Sequence, residues 1–289
     1  MIEAQASASN APCDELAPVQ STEEVADAVF ITRLLSPTIA KQVEPGQFIQ
    51  VRLRDEAVPL LRIPLSVAAT DRTSGIIDVL YEAVGPKTSL LSRLRAAESL
   101  ACLGPIGNSF PAPQPDQQVV LIGGGVGLPP LLFFGHALMN DRRAAGRHAA
   151  GRHVAGVDLF VGARTKAKHL GMERLRTAAS SVAITTDDGS AGHAGLVTEL
   201  LEQKLRSRED VVVYTCGPHP MMRAVAAICS RSGVSCFASL EEYMACGYGV
   251  CVGCVVETVP PHQDRSEYER YSRICVDGPV YDAAQISWD

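Results

Sequence analysis

The sequence predicts a chain of combined all-β and α/β class, with an N-terminal antiparallel β-barrel, a parallel α/β domain and a small C-terminal cysteine-containing domain. Three observations lead to this prediction. Short segments of β character alternate with turn signals over the N-terminal third of the chain, as they do in small antiparallel barrels. Buried strands then alternate with helical segments, which is the pattern of a parallel sheet. A group of cysteines lies among glycines near the end of the chain.

The composition indicates a soluble globular protein. The chain has 289 residues, of which 46% are hydrophobic, and a formal net charge of −6, so about two domains with a sizeable core are expected. The acidic balance gives no support for a nucleic-acid surface. No apolar run approaches the roughly 20 residues that span a bilayer, and residues 1–10 lack the regions of a signal peptide. We therefore expect neither a nucleic-acid nor a membrane partner.

The use of cysteine indicates a reducing compartment. The chain has nine cysteines, an odd number. Those outside the C-terminal group are scattered without the regular spacing of a disulfide framework, and they are Cys13, Cys102, Cys216, Cys229 and Cys236. We therefore expect a cytoplasmic protein.

The first predicted domain is the barrel, over residues 23–112, and a flexible tail over residues 1–22 precedes it. The tail is rich in Ala, Ser, Pro and Gln, as mobile termini often are. Strands are expected at residues 28–34, 49–53 and 76–81, because apolar and polar residues alternate there between turn signals.

Two peptides within the barrel have residues suited to chemistry. In Leu61-Arg62-Ile63-Pro64-Leu65-Ser66, a strand with a basic and a hydroxyl side chain runs into a proline. In Val84-Gly85-Pro86-Lys87-Thr88-Ser89, a Gly/Pro turn precedes a helix start rich in hydroxyls, where a phosphate could bind to free N–H groups. An ordinary helix N-cap explains the second pattern equally well, so the residues alone leave both interpretations open.

The second predicted domain is a parallel α/β nucleotide-binding domain over residues 113–233. The expected strands are 119–122, 157–161, 182–185, 211–214 and 234–238, and the expected helices are 128–139, 166–179, 196–205 and 220–230. In such a sheet the ligand binds at the carboxyl ends of the strands. Three of these ends have turn chemistry, namely the glycine run Gly123–Gly127, Asp187-Asp188-Gly189-Ser190 and Cys216-Gly217-Pro218.

The glycine run by itself is a weak signal. It departs from the G-x-G-x-x-G spacing, because Leu128 or Pro130 stands where the third glycine belongs. Its glycines still permit a pyrophosphate to approach the backbone closely. No acidic residue clearly ends the second strand, and Arg164, which follows it, could accept a 2′-phosphate. The residues therefore leave NAD and NADP open.

The C-terminal cysteines give the strongest signal. Cys246, Cys251 and Cys254 have the spacing C-x4-C-x2-C, and Cys275 follows; this is the spacing of plant-type [2Fe-2S] ligation. The glycines between them let the backbone turn tightly and direct N–H groups at sulfur. A four-cysteine zinc site usually draws on two C-x2-C knuckles, and only one is present. Buried free thiols are the other interpretation, against which the density of cysteines argues.

Taken together, these motifs resemble the electron-transfer subunits of class B dihydroorotate dehydrogenases, in the ferredoxin-reductase superfamily. The resemblance runs from about Ala26 to Trp288, with the motifs in the same order. Its most specific parts are Ser239–Cys254 and Ile274–Asp282, and Thr186–Ser190, Cys216–Pro218 and Gly104–Asn108 also match.

The resemblance implies an FAD-binding barrel, an NAD-binding domain and a [2Fe-2S] domain over residues 234–289, whose ligands are Cys246, Cys251, Cys254 and Cys275. It also implies an FMN-containing partner subunit that oxidises dihydroorotate in pyrimidine biosynthesis, and assembly of the two subunits into a heterotetramer. Electrons would pass from the FMN through the cluster and FAD to NAD+.

The resemblance also indicates which residues bind the two other cofactors. The FAD residues are Arg62, Ile63, Pro64, Leu65, Ser66, Leu80, Tyr81, Glu82, Gly85, Lys87 and Thr88. The NAD residues are Gly124, Gly125, Gly127, Asp188, Cys216, Gly217 and Pro218, with Cys216 as a candidate contact of the nicotinamide.

The FAD residues depart from the family pattern in three places. Ile63 stands where the family usually has an arginine, and Glu82 stands where it often has a basic residue. Arg62 is not a simple substitute, because neighbouring strand residues point to opposite faces. Lys87 is gained in the next turn, so we expect Lys87 and the helix start after it to hold the FAD phosphates.

Two alternative functions remain. A related reductase subunit that serves a hydrogenase or a ferredoxin:NADP oxidoreductase would share every motif except the partner-facing surface. A non-enzymatic four-cysteine zinc module on a degenerate nucleotide fold is compatible with the altered flavin motifs. The visible spectrum separates the zinc module from the others, because flavins and iron–sulfur clusters absorb visible light and Zn²⁺ does not.

Overall fold

The computed structural model describes residues 11–53, 61–145, 154–207, 210–259 and 270–288, without the side chains of residues 142–145. The N-terminal elements are β1 (Cys13–Ala26), β2 (Val29–Leu35), α1 (Pro37–Gln42), β3 (Phe48–Leu53), β4 (Ile63–Asp71), β5 (Ile76–Glu82), α2 (Pro86–Leu91) and β6 (Ser99–Ile106). Within the described ranges these six strands form a closed barrel in the order β1-β2-β5-β4-β3-β6. The predicted antiparallel barrel is confirmed.

The alternation of side chains along β3 explains how the barrel meets the rest of the molecule. Ile49 and Val51 point inward and are buried in the barrel core. Phe48, on the opposite face of the strand, belongs to a second core that includes residues of the C-terminal part, such as Cys254 and Ile274. Because successive strand residues point to opposite faces, one strand contributes to the barrel interior and to the interface outside it.

The predicted flexible tail is wrong in its second half. β1 begins at Cys13 and pairs with β2 and with β6, so residues 13–22 form part of the barrel wall, whereas residues 1–10 lie outside the described residues. The composition of this stretch is polar because most of its side chains are not buried; Ala17 and Val19 are the buried ones. A polar composition therefore wrongly indicated a mobile tail. Backbone pairing on both sides, rather than apolar side chains, holds this strand in place.

The middle of the chain forms the predicted parallel sheet. Its elements are β7 (Gln118–Gly124), α3 (Leu128–Ala145), β8 (Gly156–Ala163), α4 (Met172–Arg176), β9 (Ser181–Thr186), β10 (His193–Ala194), α5 (Val197–Leu205), β11 (Val211–Cys216), α6 (His219–Ser232) and β12 (Ser235–Ser239). The strands from β7 to β12 pair in parallel. Aromatic side chains pack beside the sheet, where Phe134 contacts Tyr214 with ring centroids 4.8 Å apart.

The helix predicted over residues 166–179 is confirmed only in part, because it is not continuous. A single 3₁₀ turn at Lys166–Lys168 and the short helix α4 occupy this stretch. Gly171 separates them with φ of +80°, which is a left-handed conformation that interrupts a right-handed helix. Among the described residues, no helix combines the length and the apolar character needed to cross a membrane.

The C-terminal part extends the same sheet. Its strands are β13 (Val255–Glu257), β14 (Tyr271–Arg273) and β15 (Val280–Asp282). β12 joins β11 in parallel, and β15 adds to β12 in the antiparallel sense, which gives the sheet order β10-β9-β8-β7-β11-β12-β15 over the described residues. The boundary predicted between residues 233 and 234 therefore falls within one sheet. β13 and β14 pair separately beside the cysteines.

Candidate functional site

A small cavity lies between the barrel and the sheet. Its volume is about 220 Å³. The barrel residues that line it are Phe48, Ile63, Pro64, Leu65, Ser66, Leu80, Tyr81, Glu82, Val84 and Thr88. The start of β4 and the end of β5 thus bring together most of the residues predicted to bind FAD. The opposite wall contains Val126 and Pro129 from the glycine run and the helix after it.

Tyr81 is held as a neutral phenol at the wall of this cavity. Burial raises the pKa of its hydroxyl to about 12, although a hydrogen bond with Thr32 opposes the shift. The two hydroxyl oxygens are 2.9 Å apart, and the Tyr81 ring stacks on Phe30. Tyr81 therefore presents a rigid, uncharged surface to a ligand.

Arg62 points away from the cavity, unlike its neighbour Ile63. Its Nη1 donates to the backbone carbonyl oxygens of Gln50 and Ala101 at 3.3 and 3.1 Å. Its Nη2 pairs with Asp14 at 2.6 Å. Arg62 therefore braces the barrel wall and does not line the cavity, so its predicted contact with FAD finds no support in this geometry and stays a prediction.

The start of α2 has an ordinary cap. The backbone N–H of Gly85 donates to Thr88 Oγ1 at 3.2 Å, and the Thr88 hydroxyl donates back to the Gly85 carbonyl. Thr88 lines the small cavity, whereas Gly85 and Lys87 line neither this cavity nor the larger cleft described below. The structure therefore has the helix N-cap, which was one of the two interpretations of this peptide. The other, a phosphate contact of Lys87, stays a prediction.

Glu82 forms an ion pair across the interface between barrel and sheet. Lys168 Nζ lies 2.8 Å from Glu82 Oε1 and donates to the backbone carbonyl of Asp27 at 2.9 Å. The contact with Glu82, followed by that with Asp27, raises the pKa of Lys168. Glu82, found where a basic residue was expected, is thus paired with a lysine from the 3₁₀ turn after β8. Sequence reasoning missed this partner.

A larger cleft of about 980 Å³ continues from the small cavity along the carboxyl ends of the strands. Glu82, Val84, Val126, Leu240, Glu241 and Glu242 line both spaces. The predicted residues that line the cleft are Gly124, Gly125, Gly217 and Pro218. Residues that the sequence did not single out also contribute, and they include Lys168, Thr185, Leu196, Thr198 and Met221.

Gly127 and Cys216 lie behind the cleft wall instead of on it. Cys216 is fully buried, and neither residue lines the cleft. A Cβ atom at Gly127 would overlap the backbone carbonyl of Cys216, so only glycine allows this approach. Burial first, and then the Glu241 carboxyl, raise the pKa of the Cys216 thiol, despite a hydrogen bond with Ser239. Cys216 is therefore a neutral, buried thiol behind the cleft wall, and its predicted contact with the nicotinamide stays a prediction without support from this geometry.

Of the two aspartates at the end of β9, Asp187 lines the cleft and Asp188 does not. Asp188 accepts hydrogen bonds from the backbone N–H and the hydroxyl of Ser190 at 3.0 and 2.6 Å. These bonds lower the pKa of the Asp188 carboxyl and stabilise the turn. Asp187, together with Arg164, is therefore the aspartate of this turn that lines the cleft, and the nucleotide contact predicted for Asp188 stays a prediction.

Glu241 is a site residue that sequence reasoning missed. Its side chain lines both the small cavity and the cleft, where the residue is exposed. Desolvation by the surrounding protein raises the pKa of the carboxyl to about 7. Glu241 lies within Ser239–Cys254, one of the most specific parts of the family resemblance, but its carboxyl was not singled out there.

The four C-terminal cysteines lie close to one another as two pairs. The backbone N–H of Cys251 donates to Cys246 Sγ at 3.4 Å, and Cys254 is hydrogen-bonded to Cys275. Desolvation opposes ionisation of Cys246, but the N–H groups of Cys251, Tyr248 and Val250 lower the pKa of its thiol to about 6. Burial and the neighbouring Cys254 thiol raise the pKa of Cys275 to about 12.

The chemistry of this donor set fits an iron–sulfur cluster. Among the described residues, no group of three or more His, Cys, Asp or Glu side chains meets at a single metal position; the thiols are arranged as the two pairs. Cys254 and Cys275 are buried thiols, which become thiolates only beside a cation. The N–H groups directed at Cys246 are the donors that cluster sulfurs accept from.

One chain segment connects the small cavity to the cysteines. Ser239, Leu240, Glu241, Glu242 and Met244 line the cavity, and Cys246 follows two residues after Met244. The opposite face of the loop exposes Tyr248, Val250 and Val252 to solvent. The cavity and the cysteine group are therefore adjacent because a few residues of extended chain separate them.

Family models match two parts of this chain. Residues 241–287 match the iron–sulfur cluster binding domain of dihydroorotate dehydrogenase B, and residues 121–227 match the oxidoreductase NAD-binding domain. Both agree with the positions of the cysteine group and of the parallel sheet.

Curated relatives match nearly the whole chain. The dihydroorotate dehydrogenase B (NAD(+)) electron transfer subunit of Desulforamulus reducens is 32% identical over 94% of this chain and 98% of its own length. The subunit of the same name from Geobacillus kaustophilus is 36% identical over 93% of this chain and 96% of its own length.

Solved structures have the same fold. The structure of an NADH-dependent reduced ferredoxin-NADP oxidoreductase, studied for flavin-based electron bifurcation, aligns with a TM-score of 0.79 and 28% identity over 95% of this chain and 91% of that chain. A ferredoxin reductase of carbazole 1,9a-dioxygenase aligns with a TM-score of 0.62 and 20% identity over 77% of this chain and 67% of that chain, and supports the fold alone.

Proposed function

This chain belongs to the family of dihydroorotate dehydrogenase B electron transfer subunits, and from that premise we propose that it transfers electrons from an FMN-containing, dihydroorotate-oxidising partner to NAD+. The route is a [2Fe-2S] cluster on Cys246, Cys251, Cys254 and Cys275, and then FAD in the small cavity. The observation that carries the proposal is the segment from Ser239 to Met244, which lines the cavity and leads directly to Cys246. Relay centres must lie close together, and this segment supports that proximity.

The barrel residues would hold the flavin. FAD, when bound, exchanges electron pairs with nicotinamide and single electrons with the cluster. Pro64 and Leu65 supply apolar walls, Ser66 supplies a hydroxyl, and Tyr81 stays neutral, so the lining suits an uncharged ring system. Lys87 remains our candidate for the FAD phosphates, together with the first turn of α2.

The carboxyl ends of the sheet would hold the nicotinamide nucleotide. The cleft is lined in part by three glycines, Gly124, Gly125 and Gly217. Because glycine has no side chain, a pyrophosphate can approach the backbone closely there. Because the cleft and the cavity share Glu82, Val126 and Glu241, a nucleotide in the cleft can present its reactive ring to the cavity. No protein base is required, since a hydride transfers directly between the two rings.

The apolar surface of the cysteine loop suits a protein partner. Tyr248, Val250, Val252 and Val276 are all exposed, and exposed apolar side chains that lie together mark interaction sites. We propose that the catalytic subunit docks here, beside the cluster, in a heterotetramer. A cytoplasmic location, expected from the scattered cysteines, stays a prediction.

The cofactor content is tested on the chain purified without oxygen and reconstituted with iron, sulfide and FAD. We expect flavin bands, broad iron–sulfur absorption and reduction by NADH. Cys275→Ser should lose most of the iron while it keeps FAD, whereas Cys13→Ser, which changes a cysteine outside the group, should keep both. A colourless zinc protein would contradict the proposal.

The partner is tested by co-purification from native cells. Recovery of an FMN-containing subunit that oxidises dihydroorotate supports the proposal, and replacement of Tyr248 by serine should weaken the complex. Recovery of a hydrogenase would favour the alternative reductase subunit. The relatives do not favour that alternative. They are dihydroorotate dehydrogenase B electron transfer subunits, and this chain matches them over nearly their whole length.

A further inference from the structure

A buried amide lies between the small cavity and the cysteine loop. Gln50 is fully buried and lies two residues after Phe48 on β3, on the outer face of the barrel, where Phe48 lines the cavity. Its partner across the strand pair is Pro64, another cavity residue. The Gln50 side chain therefore leaves the barrel beside the cavity.

The Gln50 amide packs directly against the cysteine loop. A Cβ atom at Gly247 would overlap Nε2 and Cδ of Gln50, and Gly247 follows Cys246 in the chain. The positive φ of Gly247, +79°, turns the loop at this contact. On the other side, Nε2 lies 3.9 Å from Sδ of Met244, which lines the cavity. The amide thus bridges the cavity wall and the first cysteine.

Most of the hydrogen-bonding capacity of this amide is not used by the described part of the chain. Oε1 has no partner there, and the only partner of Nε2 is a thioether sulfur, which is a weak acceptor. Rotation of the amide exchanges its oxygen and nitrogen, but the surroundings stay the same. Buried polar groups are nearly always paired, so this one is expected to have a partner when the cofactors are bound.

We propose that Gln50 is a positioning residue of the iron–sulfur centre, whose side-chain amide donates an N–H to a sulfur at the Cys246 edge of the bound cluster. The proposal rests on the proposed function, because it requires a cluster at these cysteines. Reduction adds negative charge to the cluster sulfurs, and a hydrogen-bond donor stabilises that charge. Gln50 therefore makes the cluster easier to reduce, and it holds the loop at a constant position relative to the cavity.

The test compares Gln50→Met with Gln47→Met in the reconstituted full chain. Methionine keeps nearly the volume of glutamine but cannot donate. The Gln47 amide is satisfied away from the cysteines, since Nε2 donates to the Gly107 carbonyl at 2.7 Å and Oε1 accepts from the Glu44 N–H at 2.9 Å. Gln47→Met therefore controls for the loss of an amide on the same strand region.

The main readout is the reduction potential of the cluster, from a titration followed by electron paramagnetic resonance. In Gln50→Met we expect a shift to more negative potential, corresponding to a roughly 2- to 10-fold smaller equilibrium constant for reduction. After exchange into D₂O, the unaltered protein should show a magnetic coupling between the cluster and the deuteron of the Gln50 amide. This coupling should be absent in Gln50→Met. In Gln47→Met both signals should match those of the unaltered protein.

An unchanged potential in Gln50→Met with full iron content would overturn the proposal, as would an equal shift in Gln47→Met. If Gln50→Met does not fold, Gln50→Leu is used with the same expectations. An unaltered protein that binds no iron–sulfur cluster would overturn the proposed function itself, and iron and sulfide analysis identifies that outcome before any potential is measured.

Discussion

Lys168, in the 3₁₀ turn that follows β8, donates a hydrogen bond to Glu82 of the barrel across 2.8 Å. Both side chains line the cleft between these parts. Lys168 has 30% of its side-chain surface exposed and Glu82 has 25%. The pair therefore links the two halves of the site. It also sets a positive charge, shared with Asp27, beside the carboxylate that stands where the resemblance led us to expect a basic residue.

We predict a small, salt-dependent coupling between Glu82 and Lys168. A double-mutant cycle with Glu82→Gln and Lys168→Met should give about 0.2–1 kcal/mol, since partly exposed ion pairs contribute little. The free energy of unfolding is measured by urea titration at low and high salt. The coupling should shrink as salt increases. A coupling that does not depend on salt would contradict an ionic interaction.

We predict that Gly127→Ala destabilises the sheet end. Its Cβ would overlap the Cys216 carbonyl and the Gly217 nitrogen, and backbone atoms cannot move aside as a flexible side chain can. A loss of about 1–3 kcal/mol is expected, with a corresponding drop of the melting temperature in calorimetry. Gly85→Ala is the control, because a Cβ there meets nothing within 4 Å and φ is −148°. Equal melting temperatures for the two variants would refute the steric argument.

We predict that Glu241 makes the protein less stable as the pH rises toward neutrality. Burial raises the pKa of its carboxyl from 4.5 to about 7, so between these values the folded state binds more protons than the unfolded state. Stability must then fall as the pH rises through this window. Melting temperatures of Glu241→Gln and the unaltered protein are compared from pH 4.5 to 8.

The two melting curves should diverge in a defined direction. Glu241→Gln should become more stable relative to the unaltered protein as the pH rises, because glutamine has no proton to lose. Glu242→Gln, which changes the adjacent carboxyl, is the control. A constant difference across the range would show that the Glu241 carboxyl does not titrate there.

We predict that Asp187 disfavours a 2′-phosphate on the nucleotide. Its carboxyl lines the cleft together with Arg164, and a carboxylate repels a phosphate by about 1 kcal/mol at contact distance in water. Asp187→Asn should therefore raise the ratio of NADPH to NADH activity by roughly fivefold. Asp188→Asn is the matched control, because Asp188 is bonded to Ser190 within its turn and does not line the cleft. A larger change in the control would reverse the assignment.

Local sequence patterns were sufficient for the architecture. Alternating residues such as Ile49 and Val51 indicated the barrel, and the glycine run after an apolar strand indicated the parallel sheet. The patterns failed where backbone conformation decided the outcome. β1 extends through a polar stretch because two strands pair with it, and Gly171 splits a predicted helix.

The candidate site was predicted where its residues lie within one motif. Pro64, Leu65, Ser66 and Tyr81 all line the small cavity. Partners that come from distant parts of the chain were missed. Lys168 belongs to no recognisable pattern, and Glu241 lies within the motif Ser239–Cys254 but was not singled out there. Arg62, just before β4, pairs with Asp14 instead of lining the cavity, and no local pattern shows a contact between residues so far apart in the chain.

The sequence by itself determined the order of the parts and the chemistry of the cysteines, because spacing along the chain is a local property. Only the tertiary structure decided which side chains face the cleft, that Glu82 is balanced by Lys168, and that the Gln50 amide lies against the residue after Cys246. These are contacts between residues far apart in sequence. Strand register and the packing of barrel on sheet create them, and neither leaves a mark in the local pattern.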